Sequence, residues 1–217
     1  MSEIVVYGIP GSPFVRSVQL CLEEKQAPYR MDALAPGSLR GEDHAKRHPF
    51  GRIPVIDHGD FRLYETQAIL RYLDAVFPDP PLQPEEPHAI GRMNQVIGIN
   101  DWYFFPKVGA VIVFQRIVGP VLMGLIPNEA LIADAMPMAR TCIGELDRIL
   151  GDQAFLAGGA LSLADLMLAP QLDFFAATPE GRDLLNGTAL AGWLDGMNQR
   201  PAMRRTQRPE NLRATSA

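Results

Sequence analysis

The sequence predicts a two-part chain, an α/β segment ordered βαβαββα followed by an all-helical segment. Three observations carry that expectation. Short β-rich runs alternate with helical periods as far as residue 77. A proline-rich stretch then intervenes, Pro-Asp-Pro-Pro-Leu-Gln-Pro-Glu-Glu-Pro-His over residues 78–88, which suits neither helix interior nor central strand. Beyond it, strand alternation disappears. The expected organisation is therefore a first domain at 1–77, a semi-rigid linker at 78–88 and a helical domain at 89–217.

Each element has a local reason. Ile4-Val-Val-Tyr7 is a β-rich run, and Met1–Tyr7 has no basic region ahead of a long apolar stretch, so it reads as a strand and not as a signal peptide. Residues 13–25 have helical period, with Val15, Val18, Leu22 and Phe14 on one face. Residues 29–33 form a second strand, and the β-α-β crossover favours a parallel pair. A weak polar helix is expected at 40–47. Val55-Ile-Asp57 and Phe61-Arg-Leu63 flank His58-Gly-Asp60, a hairpin signal. Residues 65–77 are helical, with Ile69, Leu70, Tyr72 and Leu73 apolar. In the second part, helices are expected at 90–118, 129–150, 163–175 and 190–199. Pro106 should kink the first of these, and Pro120 and Pro127 should bracket the loop before the second. Ser162-Leu-Ala-Asp165 ahead of Leu166-Met-Leu168 is a capping-box pattern with aspartate in the glutamate place, read as structural.

Composition narrows the functions. A net charge of −5 and the lack of a dense Lys/Arg cluster argue against nucleic acid as a partner. The most apolar run, residues 108–113, is too short to span a bilayer and soon meets Gln115-Arg116, so no membrane is expected. Cys21 and Cys142 have no metal-type spacing; a reducing cytoplasm and no metal are expected.

Four segments carry candidate chemistry. Ser12-Pro13 follows Gly8-Ile-Pro-Gly11 directly after the first strand. Serine is a good N-cap and proline suits the first helical position, so plain capping explains both. The same geometry also puts a hydroxyl at a helix N-terminus facing a crevice, where anions are favoured. A charge-assisted hydrogen bond of roughly 1.5–3 kcal/mol would depress a bound thiol's pKa by on the order of one to two units from about 8.5. Both readings stay open at this stage. Pro54 opens the third strand; it is either an ordinary trans proline or a cis Ile53-Pro54 bond turning the Ile53 main chain outward to pair with an extended peptide. Glu65-Thr66 opens a helix and suits its dipole, yet an acid beside a hydroxyl and an N–H is also what an α-amino acid end requires. Arg40 and Arg52 flank Pro49-Phe-Gly51, and one of them would hold a second carboxylate. The run Trp102-Tyr-Phe-Phe105 is either core or, in part, the wall of an apolar cleft; consecutive helical residues diverge, so they cannot all share one place. Ser12 has no Gly-x-Ser-x-Gly context, and His44, His48, His58 and His88 stand in no triad pattern, which argues against a covalent serine nucleophile.

These motifs resemble those of a cytosolic glutathione transferase, phi/theta-like and of bacterial type, over essentially the whole length. The specific pieces are Val6-Tyr-Gly8…Ser12…Arg16-Ser-Val18, Pro49-Phe-Gly-Arg-Ile-Pro54 and Leu63-Tyr-Glu-Thr-Gln-Ala-Ile-Leu-Arg-Tyr72. The resemblance implies a thioredoxin-like first domain that binds glutathione as co-substrate and a helical second domain that supplies a hydrophobic-substrate cleft. It implies that Ser12 stabilises the glutathione thiolate, that Ile53 before a cis Pro54 pairs with the cysteinyl backbone, and that Glu65 and Thr66 hold the γ-glutamyl end. Arg40, with Arg52 as second candidate, would meet the glycyl carboxylate, and Phe14, Trp102, Tyr103 and Phe105 would line the cleft. Members are typically homodimers, and Phe50 is a candidate anchor for a partner subunit. Two departures stand out. Leu39 occupies the place of a usual histidine, and Ser12-Pro-Phe-Val15 replaces any Cys-x-x-Cys, so dithiol chemistry is lost. Cys21 lies roughly 13 Å along the helix from Ser12 and does not substitute for it. The implied activity is conjugation of glutathione to apolar electrophiles in detoxification. The alternatives are a glutathione-binding module with little turnover and a glutathione-dependent peroxidase or isomerase.

Overall fold

The computed structural model describes residues 3–213; Met1 and Ser2 of the first strand reading, and residues 214–217 of the second segment, lie outside the described residues. The first part contains β1 (Ile4–Gly8), α1 (Pro13–Glu24), β2 (Tyr29–Ala33), a tight turn of 3-10 helix (Pro36–Arg40), α2 (Glu42–Ala45), β3 (Val55–His58), β4 (Phe61–Tyr64) and α3 (Thr66–Val76). The sheet order is β2-β1-β3-β4. β1 pairs parallel with β2, and β3 pairs antiparallel with both β1 and β4, as the crossover and the hairpin signal require. The expected polar helix at 40–47 shrinks to the four residues of α2, after a 3-10 turn that ends at Arg40, because this stretch has almost no apolar stripe to bury.

The second part contains α4 (Pro87–Ile99), a widened helix (Asn100–Val118), α5 (Gly119–Met123), α6 (Glu129–Leu150), α7 (Leu163–Ala176), α8 (Pro179–Leu185), α9 (Ala189–Gln199), α10 (Pro201–Arg205) and α11 (Glu210–Arg213). Four short helices, α5, α8, α10 and α11, were not expected, since each is too brief for a periodic signal. Pro120 sits inside α5, not at the edge of a loop.

The segment Asn100–Val118 departs most from the expected α-helix. It has π-helical character, with the Gly119 N–H donating to Phe114 O five residues back. Its buried positions are Asn100, Phe104, Val108, Ile112, Val113 and Ile117, steps of four or five rather than three or four. The helix passes through Pro106 in this widened form. A proline ring clashes with the carbonyl four residues back, and a wider turn relieves that clash. By length and composition alone the rod Pro87–Met123 is apolar enough to cross a membrane, with a mean hydropathy of 1.4 in an 18-residue window. The expectation from sequence rests on the six residues at 108–113 alone. Phe104, Val108, Ile112 and Ile117 are fully buried in the protein core.

The cores of the two parts are continuous. α1 buries Val15, Val18 and Leu22 between the sheet residues Ile4, Val6 and Ile56 and the helices α3 and α7. α7 is buried almost all round, as expected of a central helix. Its start is fixed by Asp165, fully buried, which accepts from Ser162 N, Ser162 Oγ, Leu156 N and Trp193 Nε1 at 2.7–3.1 Å. The proline-rich stretch is tied down in a similar way. Buried Lys25 donates to Asp74 Oδ1 and Pro80 O, while Asp74 also accepts from Leu82 N and Gln83 Nε2.

Replacing Asp165 by Ala strands four donors beneath the surface. The expected loss is about 3 kcal/mol or more of unfolding free energy, read by urea titration. A loss under about 1 kcal/mol would show that the box is ornamental.

Candidate active site

A crevice of about 490 Å³ opens where β1 hands over to α1, facing the start of the widened helix. It is the place the topology favours, beyond the C-terminal end of a parallel strand and at a helix N-terminus. Ser12 is the N-cap of α1 and lines the crevice, but its side chain makes no capping bond. Its main chain does the local work instead, with Ser12 N donating to Ile9 O at 3.1 Å and Ser12 O accepting from Arg16 N at 2.8 Å. Simple capping therefore does not account for the hydroxyl.

The Ile53-Pro54 bond is cis. Ile53 lies outside the strands and makes no backbone–backbone hydrogen bond among the described residues. Both residues line the crevice. Glu65 and Thr66 line it as well. Glu65 holds a φ of 71°, a left-handed value uncommon for a residue with a side chain, and its carboxylate makes no capping bond to α3. Arg52 lines the crevice; Arg40 is exposed on the 3-10 turn and is not among its lining residues.

The four aromatics of the run Trp102-Tyr-Phe-Phe105 part company. Trp102 and Phe105 line the crevice, Phe104 is buried at 5.9 Å from the Phe175 ring, and Tyr103 is exposed to solvent. Phe14, next to Ser12 and Pro13, meets Phe105 edge to face at 4.7 Å, so one apolar wall is built from both halves of the chain.

Two polar groups of the site, His48 and Asp101, carry no signal in the sequence. His48 lines the crevice, stacks on Tyr64 at 4.6 Å and accepts from Phe50 N at Nδ1, 3.3 Å away. Burial pushes its pKa down, with His44 and Arg52 acting the same way and Glu65 opposing. Asp101 also lines the crevice, and Gln67 Nε2 donates to it at 2.9 Å, bridging α3 and the widened helix. Burial raises the Asp101 pKa, and the nearby Glu65 charge adds to the rise. No local pattern marks any of these; His48 and Arg52 converge only because the loop between α2 and β3 folds back. Among the described residues, no group of acidic, histidine or cysteine side chains has the arrangement of a metal site. Cys21 and Cys142 are buried, and burial pushes their thiols up to about 12 and about 11. Neither suits nucleophilic work.

Comparison with known proteins places the fold among relatives. Residues 6–81 match the model of the glutathione S-transferase N-terminal domain, and residues 129–196 match that of the C-terminal domain. The chain is similar to glutathione S-transferase 4 of Zea mays, 28% identical over 208 residues covering 92% of this chain and 89% of that protein. It is 26% identical over 207 residues to glutathione S-transferase F6 of Arabidopsis thaliana, covering 93% and 98%. Among solved structures, glutathione transferase F7 from Populus trichocarpa is similar with a TM-score of 0.84 and 25% identity, covering 94% and 97%.

His48 gives this site a pH signature. Its lowered pKa means the unfolded chain takes up the proton more readily. The contribution to stability is present above about pH 6.5 and is lost as pH falls below it. Thermal unfolding at pH 8 and pH 5 should show a smaller acid loss in His48→Asn than in the wild type; equal losses would clear His48 of the effect.

Proposed function

The chain belongs to the glutathione S-transferase family, and on that premise we propose that it binds glutathione in the crevice and joins its sulfur to apolar electrophiles. The observation that carries the reading is the Ser12 hydroxyl, free of any capping bond on a crevice at a helix N-terminus. It would donate to the sulfur, and the helix end would add its partial positive charge. The thiol proton goes to solvent. The thiolate then attacks the electrophilic carbon, the new carbon–sulfur bond forms, and the leaving group departs with its electron pair. Holding both reactants in one crevice supplies proximity.

The remaining roles follow the chemistry of an extended tripeptide. The unpaired main chain of Ile53 suits the cysteinyl backbone. Glu65 suits the ammonium of the γ-glutamyl end, and Thr66, with its N–H at the start of α3, suits the carboxylate beside it. Arg52 is the cation on the crevice for the glycyl carboxylate, and Arg40 stands outside it. The electrophile would rest on Phe14, Phe105 and Trp102, the last with 78% of its surface exposed and so open to a flat apolar group. No metal takes part in this scheme.

We read the chain as a phi/theta-like, bacterial-type, cytoplasmic enzyme of detoxification that works as a homodimer. Phe50, 72% exposed on the loop before β3, supports the dimer as an anchor for a second copy. A second reading, binding with little turnover, draws support from Leu39, an apolar side chain on the crevice near Arg52.

Ser12→Ala should lower kcat/KM with an aryl halide by about 10- to 100-fold, the equivalent of one charge-assisted bond. An unchanged value removes Ser12 from the mechanism. Calorimetry with glutathione separates the two readings, since tight binding with no turnover across a panel of electrophiles favours the module. In sedimentation, the wild type is expected at the dimer mass and Phe50→Ala shifted toward the monomer; a monomeric wild type would contradict the pairing.

A further inference from the structure

The Ser12 loop is also met by segment 206–213, none of whose residues lines the crevice. Gly11 precedes Ser12 with a φ of 85°, and a Cβ built on it would lie 2.4 Å from Pro209 Cδ. The segment 206–213 therefore runs directly against the residue before the hydroxyl. It is fastened there by a buried charged cluster. Arg16, 1% exposed, donates from Nε to Thr206 O at 2.8 Å and from Nη1 to Asp173 Oδ2 at 2.6 Å. Arg208 places Nε 3.2 Å from the same Asp173 oxygen, lays its guanidinium over the Phe174 ring at 4.5 Å, and donates from Nη1 to Leu212 O at 3.1 Å. Arg16 is also the residue whose N–H bonds Ser12 O.

These contacts form one chain from the helical half to the catalytic loop. Asp173 on α7 holds two guanidiniums. One of them sits four residues after Ser12, and the other pins the segment that abuts Gly11. We propose that segment 206–213 is a strap that positions Ser12, with Arg16, Asp173 and Arg208 as positioning residues for its hydroxyl. None of the three lines the crevice, and Arg16 is sealed from it. Two arginines on one carboxylate is a costly way to fill space, since apolar side chains of similar volume pack as well. Fixing a loop to within an ångström is what such a cluster does well, because misplacement of that size costs about 100-fold where a hydrogen bond must meet a reacting atom.

The inference rests on the glutathione reading, and the test separates the two. Arg208→Ala is compared with Arg208→Lys and with the wild type. Thiolate formation in the glutathione complex is followed by ultraviolet titration, because His48, Glu65, Asp101 and Arg52 also face the crevice and would blur a pH–rate profile alone. The strap predicts that Arg208→Ala keeps the KM for glutathione within about twofold, drops kcat about tenfold and moves the thiol titration up by about one pH unit; Arg208→Lys should recover most of both. A fall in melting temperature with an unmoved thiol titration would make the cluster merely structural and overturn the proposal. Should Arg208→Ala fail to fold, Pro209→Gly removes the contact on Gly11 without touching a charge, and the same upward shift is required of it. Failure of the wild type to bind glutathione strikes the underlying reading; normal wild-type titration with unshifted variants strikes the strap alone.

Discussion

A guanidinium with almost no access to water, Arg16, leaves α1 and meets Asp173 on α7, joining the strand-rich part to the helical part. An unpaired charge at such depth costs about 3–5 kcal/mol, so α7 has one register on α1 in which the pair is satisfied. That register sets much else. It lays Val15, Val18 and Leu22 against the common core, points the start of α1 at the widened helix, and leaves the crevice between them. The parts of the site contributed by the helical half, Asp101, Trp102 and Phe105, face Ser12 because this contact holds the halves in one arrangement.

The first part was legible because its signals are local. Ile4-Val-Val-Tyr7, the crossover to 29–33 and the turn His58-Gly-Asp60 each act over a few residues, and the sheet formed accordingly. Among the site residues, Ser12, Ile53, Pro54, Glu65, Thr66, Phe14, Trp102, Phe105 and Arg52 come together in space. Arg40 and Tyr103 do not, and the reason is direction. Arg40 ends a 3-10 turn on the surface, and Tyr103 falls between residues that face the crevice and the core. His48 and Asp101 were not legible at all. Their position on the crevice depends on loop return and on helix packing, which no short window records. Arg16 stands in the quoted motif Arg16-Ser-Val18, but no local pattern marks its pair with Asp173.

The widened helix shows how a correct element hides an incorrect geometry. A helix at 90–118 was expected, and one is there. The sequence gives its buried side a repeat of four or five, so an argument at 3.6 residues per turn finds little amphipathicity. The wider turn changes which aromatics share a face, and so which of them reach the crevice. Runs of this kind are rare and concentrate near functional sites. Here the run begins at Asn100, buried and directly before Asp101 of the crevice.

The Lys25 knot has a kinetic meaning. Because the connecting stretch is bonded at Pro80, Leu82 and Gln83 to the side chains of Lys25, just past α1, and Asp74 on α3, it is no swivel. Access to the crevice therefore does not rest on a free joint between the halves, and beside the crevice stand the Gln67–Asp101 bridge and the exposed indole of Trp102. A frame held in this way leaves side-chain rotamers as the movable parts beside the crevice, a faster and more local kind of motion than hinge closure.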